Sequence, residues 1–81
     1  MSVSLEVLYF AALREAAGSA SEEVQTSAID LAALYAQLRA RHQLPFPQQQ
    51  LRVAVDGAFT DWDQPLRSGS TVAFIPPVSG G

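Results

Sequence analysis

Eighty-one residues, 48% of them apolar, suffice for one domain with a single core and are too apolar for a disordered chain. Eight acidic residues against five arginines leave a net charge of −3 and no basic patch. That balance argues against nucleic-acid binding and favours a basic partner surface on encounter.

The absences exclude further chemistry. With no cysteine there is no disulfide, thiolate nucleophile or cysteine persulfide, and the single histidine, His42, cannot build a metal cluster. His42 reads as a surface residue at a helix end. Lysine is also absent, so only the N-terminal amine could accept an isopeptide bond. No apolar run approaches the ~20 residues of a membrane span. Met1-Ser2-Val3-Ser4 lacks the regions of a signal peptide, so the expected compartment is the cytoplasm, with no membrane partner.

Val3 to Phe10 alternate, with Val3, Leu5, Val7 and Tyr9 on one face and Ser4, Glu6, Leu8 and Phe10 on the other; this predicts a strand. Ala11 to Ala17 favour a helix that Gly18 stops. Glu22 to Thr26 predict a short edge strand. Ser27 is expected to cap a helix whose stripe is Leu31, Leu34, Tyr35 and Leu38 and whose last turn carries Arg39, Arg41 and His42. Leu44-Pro45-Phe46-Pro47 breaks that helix, and the three glutamines after it read as loop. Leu51, Val53 and Val55 alternate in a strand, Asp56-Gly57 turns it, and Ala58-Phe59-Thr60 returns. Asp61 and Asp63 read as a solvated turn, not as paired catalytic carboxylates. Thr71 to Ile75 form the last strand, with Val72 and Phe74 inward and Ile75 outward.

The order β-α-β-α-β-β-β predicts an α+β fold: a mixed sheet packed on one main helix, the β-grasp arrangement of ubiquitin. Residues 1–75 form this domain and 76–81 a flexible C-terminal diglycine tail, Pro76-Pro77-Val78-Ser79-Gly80-Gly81. The prolines favour an extended exit, and the glycines lack a Cβ, so the tail can enter a narrow slot. Its reach is on the order of 20 Å. A chain of this kind reads as a carrier whose working end is the Gly81 carboxylate, although glycines at a chain end also occur as simple fraying.

The segments Leu8-Tyr9-Phe10-Ala11-Ala12-Leu13-Arg14-Glu15-Ala16-Ala17-Gly18 and Val72-Ala73-Phe74-Ile75-Pro76-Pro77-Val78-Ser79-Gly80-Gly81 resemble the small, sulfur-carrier subunit of molybdopterin synthase, and the resemblance spans almost the whole chain. Gly69-Ser70-Thr71 departs from that family, which often has an acidic pair after the glycine; an altered local surface charge is expected there.

The resemblance implies the following chemistry. A ubiquitin-activating-like adenylyltransferase uses ATP to adenylate the Gly81 carboxylate. A sulfur donor protein converts the adenylate to a thiocarboxylate. The tail (Pro76, Pro77, Val78, Ser79, Gly80) then threads into the large subunit, which supplies the active site, and sulfur passes to cyclic pyranopterin monophosphate. The assembly implied is a heterotetramer. No bound cofactor, metal or catalytic side chain of the chain's own is required. The family's docking patch maps onto Phe10, Phe59 and Ile75, with Arg14 at its rim. Three other readings share the fold: a thiamine-pathway sulfur carrier, a ubiquitin-like protein modifier, and a plain interaction module with an idle tail.

Overall fold

The computed structural model describes residues 2–77. Its five strands form one mixed sheet in the order β2-β1-β5-β3-β4. The centre is β1 (Val3–Tyr9) beside β5 (Thr71–Ile75), parallel and in register from Glu6↔Thr71 to Tyr9↔Phe74. Strand β2 (Ser21–Thr26) lies antiparallel to β1 at one edge. At the other edge β3 (Arg52–Val55) and β4 (Ala58–Thr60) form a hairpin, with β3 antiparallel to β5.

Helix α2 (Leu31–His42) covers one face with the expected stripe: Leu31, Leu34, Tyr35 and Leu38 are all buried. They meet Leu5, Val7 and Tyr9 of β1, Val53 of β3, and Val72 and Phe74 of β5 in a single core. Trp62 stacks on Phe74 with 5.9 Å between ring centroids, and Tyr35 lies 5.1 Å from the same ring. The Tyr35 hydroxyl donates to the Phe46 carbonyl at 2.6 Å, so this aromatic buries without stranding its polar tip.

Three local expectations change. The α2 cap is Asp30, not Ser27: its extended backbone lets Oδ1 accept from the Ala33 N–H at 2.8 Å. Ser27 sits too early because Thr26 starts its own side-chain turn, its hydroxyl accepting from the Ala28 N–H at 3.0 Å. Ala11 is not helical. It has φ 52 and ψ −125, the first central position of a type II′ turn closed by Leu13 N–H to Phe10 C=O at 3.0 Å, and α1 spans Ala12–Ala17. Gln48–Gln50 wind into a 3-10 turn instead of open loop.

The Asp56-Gly57 turn is of the mirror type, with φ 50 and φ 88, which matches the right-handed twist of β3 and β4. Asp56 also ties this hairpin to β5, its Oδ1 accepting from the Thr71 N–H at 2.9 Å. Among the described residues no helix is long and apolar enough to cross a membrane.

Candidate functional site

The core accounts for one parity of each strand, and the other parity faces away from α2. The pairing places Leu8, Ala73, Ala54 and Phe59 in one row across β1, β5, β3 and β4. One step towards the tail, Ile75 pairs with Arg52. Phe10, one residue past β1, continues the parity of Leu8. Phe59 is 64% exposed and Phe10 44%, the large uncovered hydrophobic side chains of this face. The exposed Arg52 turns its guanidinium over the Phe59 ring, 5.7 Å from the centroid.

The structure therefore brings Phe10, Phe59 and Ile75 onto a single open face, at the end of the sheet where β5 delivers the tail. Arg14 is exposed on α1, which starts at that same end, and no described contact joins it to the patch. Of the residues read as the threading tail, Pro76 is buried and Pro77 exposed. Val78, Ser79, Gly80 and Gly81 lie outside the described residues.

Sequence reasoning passed over Leu8, Ala54, Ala73 and Arg52. The alternation of the strands held the signal. Small alanines on the outer parity of central strands keep that face flat, but side-chain size drew attention only to the large apolar residues. The departure at Ser70-Thr71 also proves less superficial than expected. Ser70 is 5% exposed, and its carbonyl accepts from the Glu6 N–H at 3.0 Å. Thr71, the other position, is partly exposed.

A polar cluster sits on the helix side of the same end. Glu22 Oε1 accepts from the Tyr9 hydroxyl at 2.8 Å and lies 3.0 Å from His42 Nε2, while Glu22 Oε2 takes Arg41 Nη1 at 3.1 Å. His42 is thus not the surface residue expected: its side chain is 19% exposed and packs edge-on to Tyr9. Burial opposes the charge on Glu22, but the hydrogen bonds from Tyr9, His42 and Arg41 outweigh it and hold the carboxyl below its usual range. Burial, and then the bond to Glu22, push the Tyr9 phenol far above its usual range. Among the described residues no buried side-chain nitrogen or oxygen lacks a partner, and no group of three or more His, Cys, Asp or Glu could hold a metal. What the arrangement offers is a flat apolar face with the Arg52 guanidinium on it, at the end where β5 finishes.

A mixed sheet holding one main helix, with its first and last strands parallel at the centre, defines the ubiquitin-like β-grasp class. Within that class the chain belongs to the ThiS family, which it matches over residues 7–81. It is 36% identical over 80 residues to the molybdopterin synthase sulfur carrier subunit of Escherichia coli (strain K12), covering 95% of this chain and 99% of that protein. The putative molybdopterin converting factor subunit 1 of Pyrococcus furiosus superposes with a TM-score of 0.78 at 28% identity, over 94% of this chain and 99% of that one. The complex of subunits 1 and 2 of the molybdopterin-converting factor of Helicobacter pylori matches with a TM-score of 0.64 at 28% identity, over 100% of both chains.

Proposed function

We propose that the chain is the sulfur-carrier subunit of a molybdopterin synthase, acting in the cytoplasm through the Gly81 carboxylate. The observation that carries this reading is the route of β5. That strand is paired on both sides, finishes at Ile75 on the open apolar face, and runs directly into Pro76-Pro77-Val78-Ser79-Gly80-Gly81. The similarity to the Escherichia coli carrier over 95% of the chain supports the same reading.

A carboxylate is a poor electrophile because its leaving group is oxide. Attack of a Gly81 oxygen on the α-phosphate of ATP expels pyrophosphate and leaves an acyl-adenylate. Sulfide-level sulfur supplied by a sulfur donor protein then attacks the acyl carbon and expels AMP, and the resulting thiocarboxylate offers a nucleophilic sulfur. That sulfur forms a bond to a carbon of cyclic pyranopterin monophosphate as a carbon–oxygen bond of the substrate breaks, and water then cleaves the acyl–sulfur bond, leaving sulfur on the pterin and regenerating the carboxylate. Each step needs an unbranched, accessible terminus and no side chain of this protein, so ATP belongs to the activating enzyme and no cofactor is held here.

The partner receiving the tail is the large subunit, docked on Phe10, Phe59 and Ile75 with Arg14 at the rim, in a heterotetramer. The Helicobacter pylori complex pairs two subunits of the converting factor and supports this choice. Apolar patches with polar surroundings are what docking surfaces require.

The test is an intact mass of the protein after incubation with ATP, its activating enzyme and a sulfur donor. Exchange of one oxygen for sulfur adds about 16 Da, and fragmentation must place it on Gly81 rather than on an oxidised Met1. An unmodified Gly81 under those conditions ends the carrier reading. One residue added after Gly81 is expected to abolish sulfur transfer, and a bulky residue at Gly80 to impair it. An extended protein that still delivers sulfur contradicts the role of the terminus.

A further inference from the structure

We propose that Arg52 is the specificity element of the docking face, and that it recognises a carboxylate on the partner protein. The inference rests on the reading that this face docks the large subunit, and deepens it by naming the chemistry of one contact. Arg52 pairs with Ile75 across β3 and β5, so it stands at the point where the last strand leaves the sheet. Its guanidinium lies over Phe59, 5.7 Å from the ring centroid. Held over the ring, the guanidinium gives up little further rotamer freedom on binding. With Phe59, Thr60 and Trp62 it lines a small hollow of about 130 Å³ at the β3–β4 edge. Among the described residues the salt bridges join Arg41 and His42 to Glu22, and none involves Arg52.

The whole chain is acidic, at −3, and would by itself select a basic partner. A cation in the middle of the apolar face inverts that preference locally. Covering Arg52 with apolar surface leaves a desolvated charge without a partner, which penalises the wrong protein. Covering it with a carboxylate gives a charge-assisted, fork-like pair at the centre of the contact. Attraction and rejection then come from the same side chain.

The test measures the dissociation constant of the full chain for the large subunit of its own synthase, at low and high salt. The variants are Arg52→Glu, Phe59→Ala and, as a charge control at the opposite end of the sheet, Arg67→Glu; unchanged melting temperatures verify that each folds. Arg52→Glu is expected to weaken binding by about tenfold or more at low salt, with the loss shrinking as salt rises. Arg67→Glu is expected to change it less than about twofold. A charge-reversal scan of the large subunit's interface acids should yield one variant that restores Arg52→Glu. If Phe59→Ala weakens binding but Arg52→Glu does not, the Arg52 assignment fails and the docking face stands. If neither changes binding, the docking face fails and the assignment with it. An equal effect from Arg67→Glu, or no restoring acid, also overturns the assignment.

Discussion

Two residues carry more of the local physics than their chemistry suggests. Ala11 holds a positive φ of 52 at a turn position suited to glycine. Such a conformation costs a residue with a Cβ about 1–3 kcal/mol, and glycine returns part of that gain as unfolded-state entropy. Ala11→Gly is therefore expected to stabilise the protein by about 1 kcal/mol and raise its melting temperature by ~5 °C. A lower melting temperature would show that the turn is not strained. Glu22 has the opposite character, since three side chains converge on one carboxylate. Glu22→Gln is expected to cost about 1 kcal/mol, below the usual range for hydrogen bonds to a charged group because the site is partly wetted. Its folded pKa lies below the unfolded one, so its contribution is present above the usual glutamate value of 4.5 and is lost as pH falls through the depressed pKa. The stability difference between wild type and Glu22→Gln, followed by urea titration, should narrow on acidification below that value. A difference constant with pH would remove Glu22 as its source. Tyr9 acts at the other limb. Its raised folded pKa gives stability that is full below the usual tyrosine value of 10.0 and is lost as pH rises beyond it.

Among the elements, helix α2 shows what a sequence can and cannot disclose. Its stripe of Leu31, Leu34, Tyr35 and Leu38 follows from helical spacing alone, and all four residues are buried as that spacing requires. The place of its cap does not follow from local pattern, because Ser27 and Asp30 are both good capping residues and the pattern does not rank them. The choice is tertiary. The Asp30–Pro65 bridge and the Leu31 N–H bond to the Gln64 carbonyl, at 3.2 Å, hold the chain extended up to Asp30. Asp30→Ala should cost about 1 kcal/mol in a denaturant titration, with Ser27→Ala nearly neutral; the reverse order would restore Ser27 as the cap. Strand identities were legible for the same reason as the helix stripe, through period-two alternation. The contact of His42 with Glu22 was not, because it spans 20 positions and depends on how the end of α2 overlies an edge strand.

At the scale of the molecule, the open face was only partly legible. Phe10 and Ile75 stand on outward parities of their strands, whereas Phe59 enters the patch only through the family resemblance. The small residues that flatten the face between them, Ala54 and Ala73, and the arginine that interrupts it, needed the strand register. That register also predicts a gradient of local stability. Amides of β1 and β5, paired on both sides, should exchange with solvent most slowly, and those of the β2 and β4 edges faster. Native-state hydrogen exchange showing β5 among the fastest segments would contradict the sheet order.

The parallel pairing of β1 with β5 has a mechanical consequence. A pull on the tail, as when it is withdrawn from a tight slot, acts along β5 and not across it. The force then falls on two ladders at once, from Glu6–Tyr9 on one side and Arg52–Val55 on the other. Their hydrogen bonds lie across the direction of pull and must yield in shear together, whereas an edge hairpin would unzip one bond at a time. A tail that enters a partner as proposed is thus rooted where the fold best resists traction.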